Sequence, residues 1–124
     1  MNKEKFSIVK RLKSFIYALN GLKILILEEH NARIHLFAAI CVVIAGIVFK
    51  ISSLEWTAII FAIGFVIALE IINSAIENMA DFISPEKNEQ IKKIKDLSAA
   101  AVLVGAITAF VIGLIVFIPK LSTL

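Results

Sequence analysis

Five polar side chains recur at helical spacing within the segment ALEIINSAIENMAD, residues 68–81. They lie at positions i, i+3, i+4, i+7 and i+11 and are Glu70, Asn73, Ser74, Glu77 and Asp81. On an α-helix this spacing forms one stripe, about 16 Å long at a rise of 1.5 Å per residue. The preceding residues, WTAIIFAIGFVI at 56–67, carry no charge. Ionisable groups in such a setting usually face the interior of a helix bundle and mark function.

The carboxylates of this stripe favour a bound cation. Glu70 and Glu77 are two turns apart and repel each other, and a cation between helices removes that repulsion. Glu29, at the entrance of the first apolar span, could supply another oxygen ligand. A set of oxygen ligands favours Mg²⁺, which commonly binds substrate phosphates as well. Since Arg33 and Lys95 add positive charge beside the carboxylates, the pattern predicts phosphate chemistry at a membrane surface.

The remaining polar residues allow simpler interpretations. Asn73 and Ser74 by themselves are typical of hydrogen bonds between packed membrane helices. His30 and His35 do not have the spacing of a zinc site, and we interpret them as interface residues. Cys41 is the only cysteine, which excludes an internal disulfide.

The elements that must position these residues are membrane helices. The chain has 124 residues, of which 60% are hydrophobic, and a mean hydropathy of +0.93, which is more apolar than a soluble domain. Three apolar spans, at about 32–51, 54–83 and 97–119, reach the roughly 20 residues that a transmembrane helix needs. No segment has a strand pattern. We therefore expect an all-α integral membrane protein, with residues 1–124 forming a single membrane domain.

A basic amphipathic segment precedes the spans, at about residues 4–27. Its apolar residues recur at helical spacing, and Lys10, Lys13, Tyr17 and Asn20 line another face. Such a helix suits the membrane surface, and anchoring alone is the simpler interpretation of it.

The placement of lysine and arginine predicts the orientation in the membrane. The side of the membrane opposite the stripe carries only Lys50 and Lys120. By the positive-inside rule, the N-terminus and the 84–96 connection are cytoplasmic, and the C-terminus lies outside. We expect no signal peptide before the first span, since no small-residue cleavage site precedes it, and the net charge of +3 gives no indication of nucleic-acid binding. The basic residues on the stripe's side are Lys3, Lys5, Lys10, Arg11, Lys13, Lys23, Arg33, Lys87, Lys92, Lys93 and Lys95.

Two motifs resemble those of the small bacterial integral-membrane kinases of diacylglycerol and undecaprenol. EIINSAIENMAD, residues 70–81, is similar to that family's signature, glutamate-x-x-asparagine-serine-alanine-isoleucine-glutamate followed by an aspartate. KDLSAAAVL, residues 95–103, is similar to its second signature. The resemblance covers essentially the whole chain. It implies a homotrimer in the bacterial cytoplasmic (inner) membrane, with a surface helix, three transmembrane helices and sites shared between neighbouring subunits.

The resemblance also implies roles for matching residues. Glu70 corresponds to the catalytic base, and Glu29 and Glu77 to ligands of Mg²⁺. The implied nucleotide-binding residues are Lys10, Tyr17, Glu29, Glu77, Lys95 and Asp96. The implied substrate-binding or supporting residues are Arg33, His35, Asn73, Ser74, Asp81 and Ser98. Lys10 stands where relatives have arginine, so bidentate phosphate binding is lost, and the match at Glu86, Lys87 and Asn88 is weak because the side chains differ.

We therefore expect a kinase that transfers the γ-phosphate of ATP to a lipid hydroxyl, without a glycine-rich phosphate loop. The segments ALNGL at 18–22 and NARIH at 31–35 look more like undecaprenol kinases, and diacylglycerol kinases tend to have an acidic residue where His35 stands. These features favour undecaprenol over diacylglycerol. Two alternatives remain open: an oligomeric ion channel or transporter with a carboxylate-lined pore, and a structural subunit whose polar residues hold helices together. A pore does not need Lys95 and Asp96 or a basic surface helix.

Overall fold

The chain is built from four helices in the part that the computed structural model describes, residues 6–86 and 88–123. They are α1 (Ile8–Glu28), α2 (His30–Phe49), α3 (Ser53–Ile83) and α4 (Glu89–Leu121). The expected all-helical class is confirmed. Lys3, Lys5 and Lys87, which contribute to the expected orientation, lie outside the described residues.

Three of the helices, α2, α3 and α4, are long and apolar enough to cross a membrane, as expected. They contain 20, 31 and 33 residues. At 1.5 Å per residue, α3 and α4 measure roughly 46 and 50 Å, whereas the hydrocarbon core is about 30 Å thick. Because α4 begins at Glu89 rather than near Leu97, Lys95 and Asp96 lie on a helix and not in a connection.

Side chains at the helix starts explain where the helices begin. Ser7 accepts a hydrogen bond from a backbone N–H of the first turn of α1 at 3.4 Å, and Asn88 does the same for α4 at 2.8 Å. Ser52 and Glu55 form a reciprocal capping box at the start of α3. These bonds satisfy N–H groups that have no partner within their own helix.

Apolar packing holds the end of the bundle that lies away from the stripe. Ile59, which is 1% exposed, packs there with Ile51 and Val116. Gly46 allows close approach of Trp56, because a Cβ at this position would lie 2.6 Å from the indole ring. Antiparallel packing of α2, α3 and α4 then brings the start of α2, the end of α3 and the start of α4 together at the other end, which we call the polar end.

The first helix has little contact with the rest of the chain. Leu25, near its C-terminal end, is the only buried residue of α1. Many apolar side chains of the other helices also face outward, among them Phe37, Phe61 and Phe110. Such a surface is what lipid or other membrane-embedded chains would cover.

Candidate functional site

A sharp junction between α1 and α2 begins the polar end. Glu29 alone separates the two helices, with an extended backbone at φ −105° and ψ 111°. The Arg33 guanidinium donates from Nε to the carbonyl of Ile26 at 2.7 Å and from an Nη atom to the carbonyl of Leu27. Carbonyls in the last turn of a helix lack intrahelical partners, and a cation there also interacts favourably with the helix dipole.

Arg33 of α2 therefore holds the last turn of α1 and fixes the angle between the two helices. In the structure its guanidinium contacts these carbonyls, whereas the sequence placed its charge beside the carboxylates. A role for Arg33 toward substrate stays a prediction.

Glu29 is oriented toward the stripe of α3. Its Oε1 accepts a hydrogen bond from the Ser74 hydroxyl at 3.0 Å, and Ser74 is buried. The Glu29 side chain does not cap α2. This bond joins the junction to the middle of the stripe.

Glu70 is the deepest carboxylate of the stripe and is 2% exposed. Its Oε1 lies 3.1 Å from Nε2 of His35. The contact does not have hydrogen-bond geometry, so this buried oxygen has no hydrogen-bond donor among the described residues. Glu29 and Glu77 both lie near enough to interact electrostatically with Glu70. The three carboxylates that spacing and resemblance singled out thus lie together.

A buried hydrogen bond connects α3 to α4 at the same level. The Ser98 hydroxyl donates to Oδ1 of Asn73 at 2.6 Å, and both residues are buried. This contact agrees with the simpler interpretation of Asn73 as a residue that holds helices together.

Two ion pairs lie further toward the tip of the polar end. Lys95 pairs with Asp81 between α4 and α3, and Lys92 pairs with Asp96 at 2.6 Å within α4. Lys95 also interacts electrostatically with Glu77, which connects these pairs to the stripe. A cavity of about 490 Å³ lies here, and its polar lining includes Asp81, Ser84, Asn88, Lys92, Lys95 and Asp96.

An apolar groove of about 540 Å³ runs between α2, α3 and α4. Among the described residues that line it, only His35 is polar, and it lies at the end of the groove next to Glu70. The other lining residues are apolar, for example Ala38, Ile63, Val66, Phe110 and Phe117. The groove therefore ends at the His35–Glu70 contact.

The carboxylates are better suited to a cation that a substrate helps to bind than to a metal ion held by protein ligands alone. Among the described residues, no group of three or more His, Cys, Asp and Glu side chains is arranged to hold a metal ion. Mg²⁺ is commonly bound by one or two carboxylates, with waters and substrate phosphates as its other ligands. Glu29 and Glu77, both close to Glu70, provide that number of hard oxygen ligands.

The predicted nucleotide contacts on α1 lie some distance from the carboxylates along the chain. Tyr17 is 69% exposed, and it lies about 18 Å from Glu29 along the helix axis at 1.5 Å per residue. No hydrogen bond or ion pair joins Tyr17 to the carboxylates in the described ranges. The nucleotide-binding roles of Lys10 and Tyr17 therefore stay predictions, as do the roles of the other site residues.

Sequence analysis missed several of the contacts in this site. The pairing of Lys92 with Asp96 has a local signal, because opposite charges four residues apart face each other on a helix. The pairing of Lys95 with Asp81 and the contact of His35 with Glu70 join different helices. No sequence spacing indicates them.

Comparisons with known proteins find lipid kinases among the relatives of this chain. The chain is 38% identical over 109 residues to the undecaprenol kinase of Bacillus subtilis. The aligned region covers 88% of this chain and 89% of that protein. It is 39% identical over 100 residues to a diacylglycerol kinase of Helicobacter pylori, covering 79% and 77% of the two chains. It is also 31% identical over 114 residues to a diacylglycerol kinase of Synechocystis, covering 91% of this chain but 65% of that longer protein.

The fold and these relatives define a membrane lipid kinase, a phosphotransferase. The model of the prokaryotic diacylglycerol kinase family matches residues 16–117, and the chain belongs to that family. This assignment decides against the pore and the structural subunit, which the residue spacing alone had left open.

The bond between Ser98 and Asn73 generates a stability prediction. Ser98→Ala should leave Oδ1 of Asn73 buried without its donor, and we expect it to lower the free energy of unfolding by roughly 1 to 2 kcal/mol. The measurement is reversible unfolding in mixed micelles, followed by circular dichroism. Thr108→Ala is the matched control on the same helix, because that hydroxyl donates only to the carbonyl of Val104. Equal stability of the two variants would show that the bond does not hold α3 to α4.

Proposed function

We propose that this lipid kinase transfers the γ-phosphate of ATP to the terminal hydroxyl of a membrane lipid, with undecaprenol favoured over diacylglycerol. One observation carries the proposal. The buried Oε1 of Glu70 has no hydrogen-bond donor among the described residues, and it lies where the apolar groove ends. A lipid chain in that groove would bring its hydroxyl to an oxygen that can accept a proton.

Glu70 acts as the general base in this proposal. Its carboxylate takes the proton of the lipid hydroxyl while the hydroxyl oxygen bonds to the γ-phosphorus, and the bond from that phosphorus to the β,γ-bridging oxygen breaks to release ADP. Phosphoryl transfer asks mainly for positioning and charge stabilisation. The fixed carboxylate of Glu70 contributes to positioning, because it orients the lipid hydroxyl, whereas charge stabilisation has to come from cations.

Glu29 and Glu77 would hold Mg²⁺ together with the β- and γ-phosphates of ATP. When bound, the ion neutralises charge on the phosphates. Ser74 keeps Glu29 directed at the stripe through the 3.0 Å hydrogen bond. Glu77 is half-buried and lies two helical turns closer to the tip than Glu70. It interacts electrostatically with both Glu70 and Lys95.

Lys95 and Asp96 would bind the nucleotide at the cavity near the tip, together with Lys10 and Tyr17 of α1. Lys95 is oriented by Asp81, and a phosphate group would compete with that carboxylate for the ammonium group. The cavity of about 490 Å³ is lined by charged side chains of both signs. That lining suits a phosphate-bearing ligand better than the apolar groove does.

The preference for undecaprenol is supported by the relatives and by the groove. The Bacillus subtilis relative is an undecaprenol kinase, whereas those from Helicobacter pylori and Synechocystis are diacylglycerol kinases. His35 and the segment 31–35 resemble the former. Incorporation of labelled phosphate from ATP into each lipid, measured side by side in mixed micelles, tests the preference, and a higher kcat/KM with diacylglycerol would contradict it.

The proposal includes an orientation and an assembly. The basic residues at the polar end support a cytoplasmic location for it in a bacterial cell, with α1 along the inner surface of the cytoplasmic membrane and the C-terminus outside as parts of the proposal. Extensive apolar exposure of the single chain is consistent with the homotrimer that the family resemblance implies. Mass measurement of the complex in a defined detergent tests the trimer, and a monomeric mass would contradict it.

Glu70→Gln should lower kcat by about 10²- to 10⁴-fold, since general-base help contributes that range. The KM for MgATP should change little, because Glu29, Glu77, Lys95 and Asp96 hold the nucleotide. The measurement is initial rate against ATP and lipid concentration in mixed micelles. Glu55→Gln is the matched control at the other end of α3, where an amide oxygen can still accept from the Ser52 backbone. Comparable losses in kcat and in ATP affinity would make Glu70 a ligand of metal or nucleotide instead.

Glu29→Gln and Glu77→Gln should each raise the Mg²⁺ concentration needed for half-maximal rate, because an amide replaces a hard anionic ligand. A large loss of kcat should accompany that rise, with helical content unchanged by circular dichroism. Glu28→Gln provides the control, since Glu28 is exposed and adjacent to Glu29. If the Mg²⁺ titrations of the Glu77 variant and the control coincide, the metal binds elsewhere.

Orientation is tested by labelling cysteines in intact cells after Cys41→Ser, which removes the exposed native thiol. Ser53→Cys, at the start of α3, should react with a membrane-impermeant maleimide added outside. Lys93→Cys, at the polar end, should react only after the cells are permeabilised. The opposite pattern would place the polar end outside, where ATP is scarce.

A further inference from the structure

A glycine of α4 lies directly against α3 at the level of the deepest carboxylate. Gly105 is buried, and a Cβ at this position would lie 2.5 Å from Cδ1 of Leu69 and 3.4 Å from the ring of Phe65. Non-bonded carbon atoms are ordinarily about 3.5 to 4.0 Å apart. A side chain at position 105 would therefore overlap α3, and its absence is what lets the two helices approach this closely.

This close approach bears on the carboxylate, because Leu69 directly precedes Glu70 in the chain. Oε1 of Glu70 has no hydrogen-bond donor among the described residues, so its place is set by the backbone of α3. That backbone is held to α4 on both sides of Glu70. Before it, Leu69 packs against Gly105. After it, Asn73 accepts the hydrogen bond from Ser98.

The side chains around Gly105 limit how a larger residue could be accommodated there. The ring of Phe65 stacks on that of Phe61, with centroids 6.0 Å apart and an interplanar angle of 11°. Space for a methyl group has to come from a different rotamer of Leu69 or from a shift of α3 away from α4, by about 1 Å at ordinary contact distance. A branched side chain requires a larger shift. Misplacement of a catalytic group by about 1 Å can cost about 10²-fold in rate.

We propose that Gly105 is a positioning residue for phosphoryl transfer, whose missing side chain sets the separation of α3 and α4 that holds Glu70 within reach of the acceptor hydroxyl. Gly105 acts through Leu69 and the backbone of α3, and it does not touch the substrate. The close approach is specific to this position, since a Cβ at Gly64 would have no atom within 4 Å. This inference rests on the proposed role of Glu70 as the base.

The test begins with two variants of increasing size, assayed against lipid and against MgATP in mixed micelles. Gly105→Ala should lower kcat about 3- to 10-fold and Gly105→Val roughly 10- to 100-fold, as the carboxylate is displaced further. The KM for MgATP should keep its wild-type value, because the charged cavity lies nearer the tip of the polar end. The unfolding midpoint of Gly105→Ala should not fall, because the higher helix propensity of alanine offsets the crowding.

Gly64→Val is the matched control, because Gly64 is an exposed glycine of α3 and has open space around it. This variant should keep the wild-type kcat. It separates the effect of crowding at Leu69 from the general effect of a branched residue in place of a helical glycine.

Two double variants test whether Gly105 acts through its neighbours. Leu69→Val removes both δ carbons and one carbon overall, so it should restore most of the kcat lost in Gly105→Ala, which adds one carbon. Gly105→Val should cause no further loss in Glu70→Gln, because a residue that acts through a carboxylate has no effect on the rate once that carboxylate is gone. A merely structural role would lower the rate of both backgrounds by the same factor.

The inference is overturned if Gly105→Val and Gly64→Val have the same kcat, or if Leu69→Val does not restore the rate of Gly105→Ala. It is also overturned if Gly105→Val slows Glu70→Gln as much as it slows the wild type. A wild-type protein that phosphorylates neither lipid would overturn the proposed function itself. An active wild type with unaffected Gly105 variants would overturn this inference alone.

Discussion

The burial of one carboxylate, that of Glu70, between apolar helices is the constraint on which the polar end depends. At 2% exposure this group has lost the water that would stabilise its charge, and burial of an unpaired charge is costly. Three parts of the chain contribute polar groups near it: α2 provides His35, the junction provides Glu29, which accepts from Ser74, and α4 provides Ser98, which donates to Asn73. These groups connect the helices to one another as well as surrounding the carboxylate.

A kinase built on a membrane bundle must join a water-soluble substrate to an insoluble one. The lengths of α3 and α4 exceed the thickness of the hydrocarbon core, so the ends that carry Asp81, Lys92 and Lys95 can lie in the aqueous layer. The apolar groove stays between the helices within the membrane. Glu70 lies where these two regions meet, and the demand of phosphoryl transfer for placement and charge stabilisation can be met there without a glycine-rich loop.

Hydropathy and spacing predict much of this arrangement, since both are local properties of the chain. The three spans follow from apolar length, and the clustering of Glu70 with Glu77 follows from positions i and i+7 on one helix. Local spacing does not reveal that Arg33 binds the last carbonyls of α1, because that requires the helix to break at Glu29. The contact of His35 with Glu70 depends on the relative rotation of α2 and α3, and the early start of α4 depends on the cap at Asn88.

The junction at Glu29 fixes the rotation of α1 about its own axis relative to α2. A single extended residue separates α1 from α2, and Arg33 ties the two sides of the break together. Each residue of an α-helix turns the chain by about 100°, so one residue gained or lost in the last turn of α1, with the junction geometry kept, would rotate the rest of α1 by that angle relative to α2 and present a different face of it to the stripe. Unlike an ordinary surface loop, this connection cannot change length without changing which side chains of α1 meet the site.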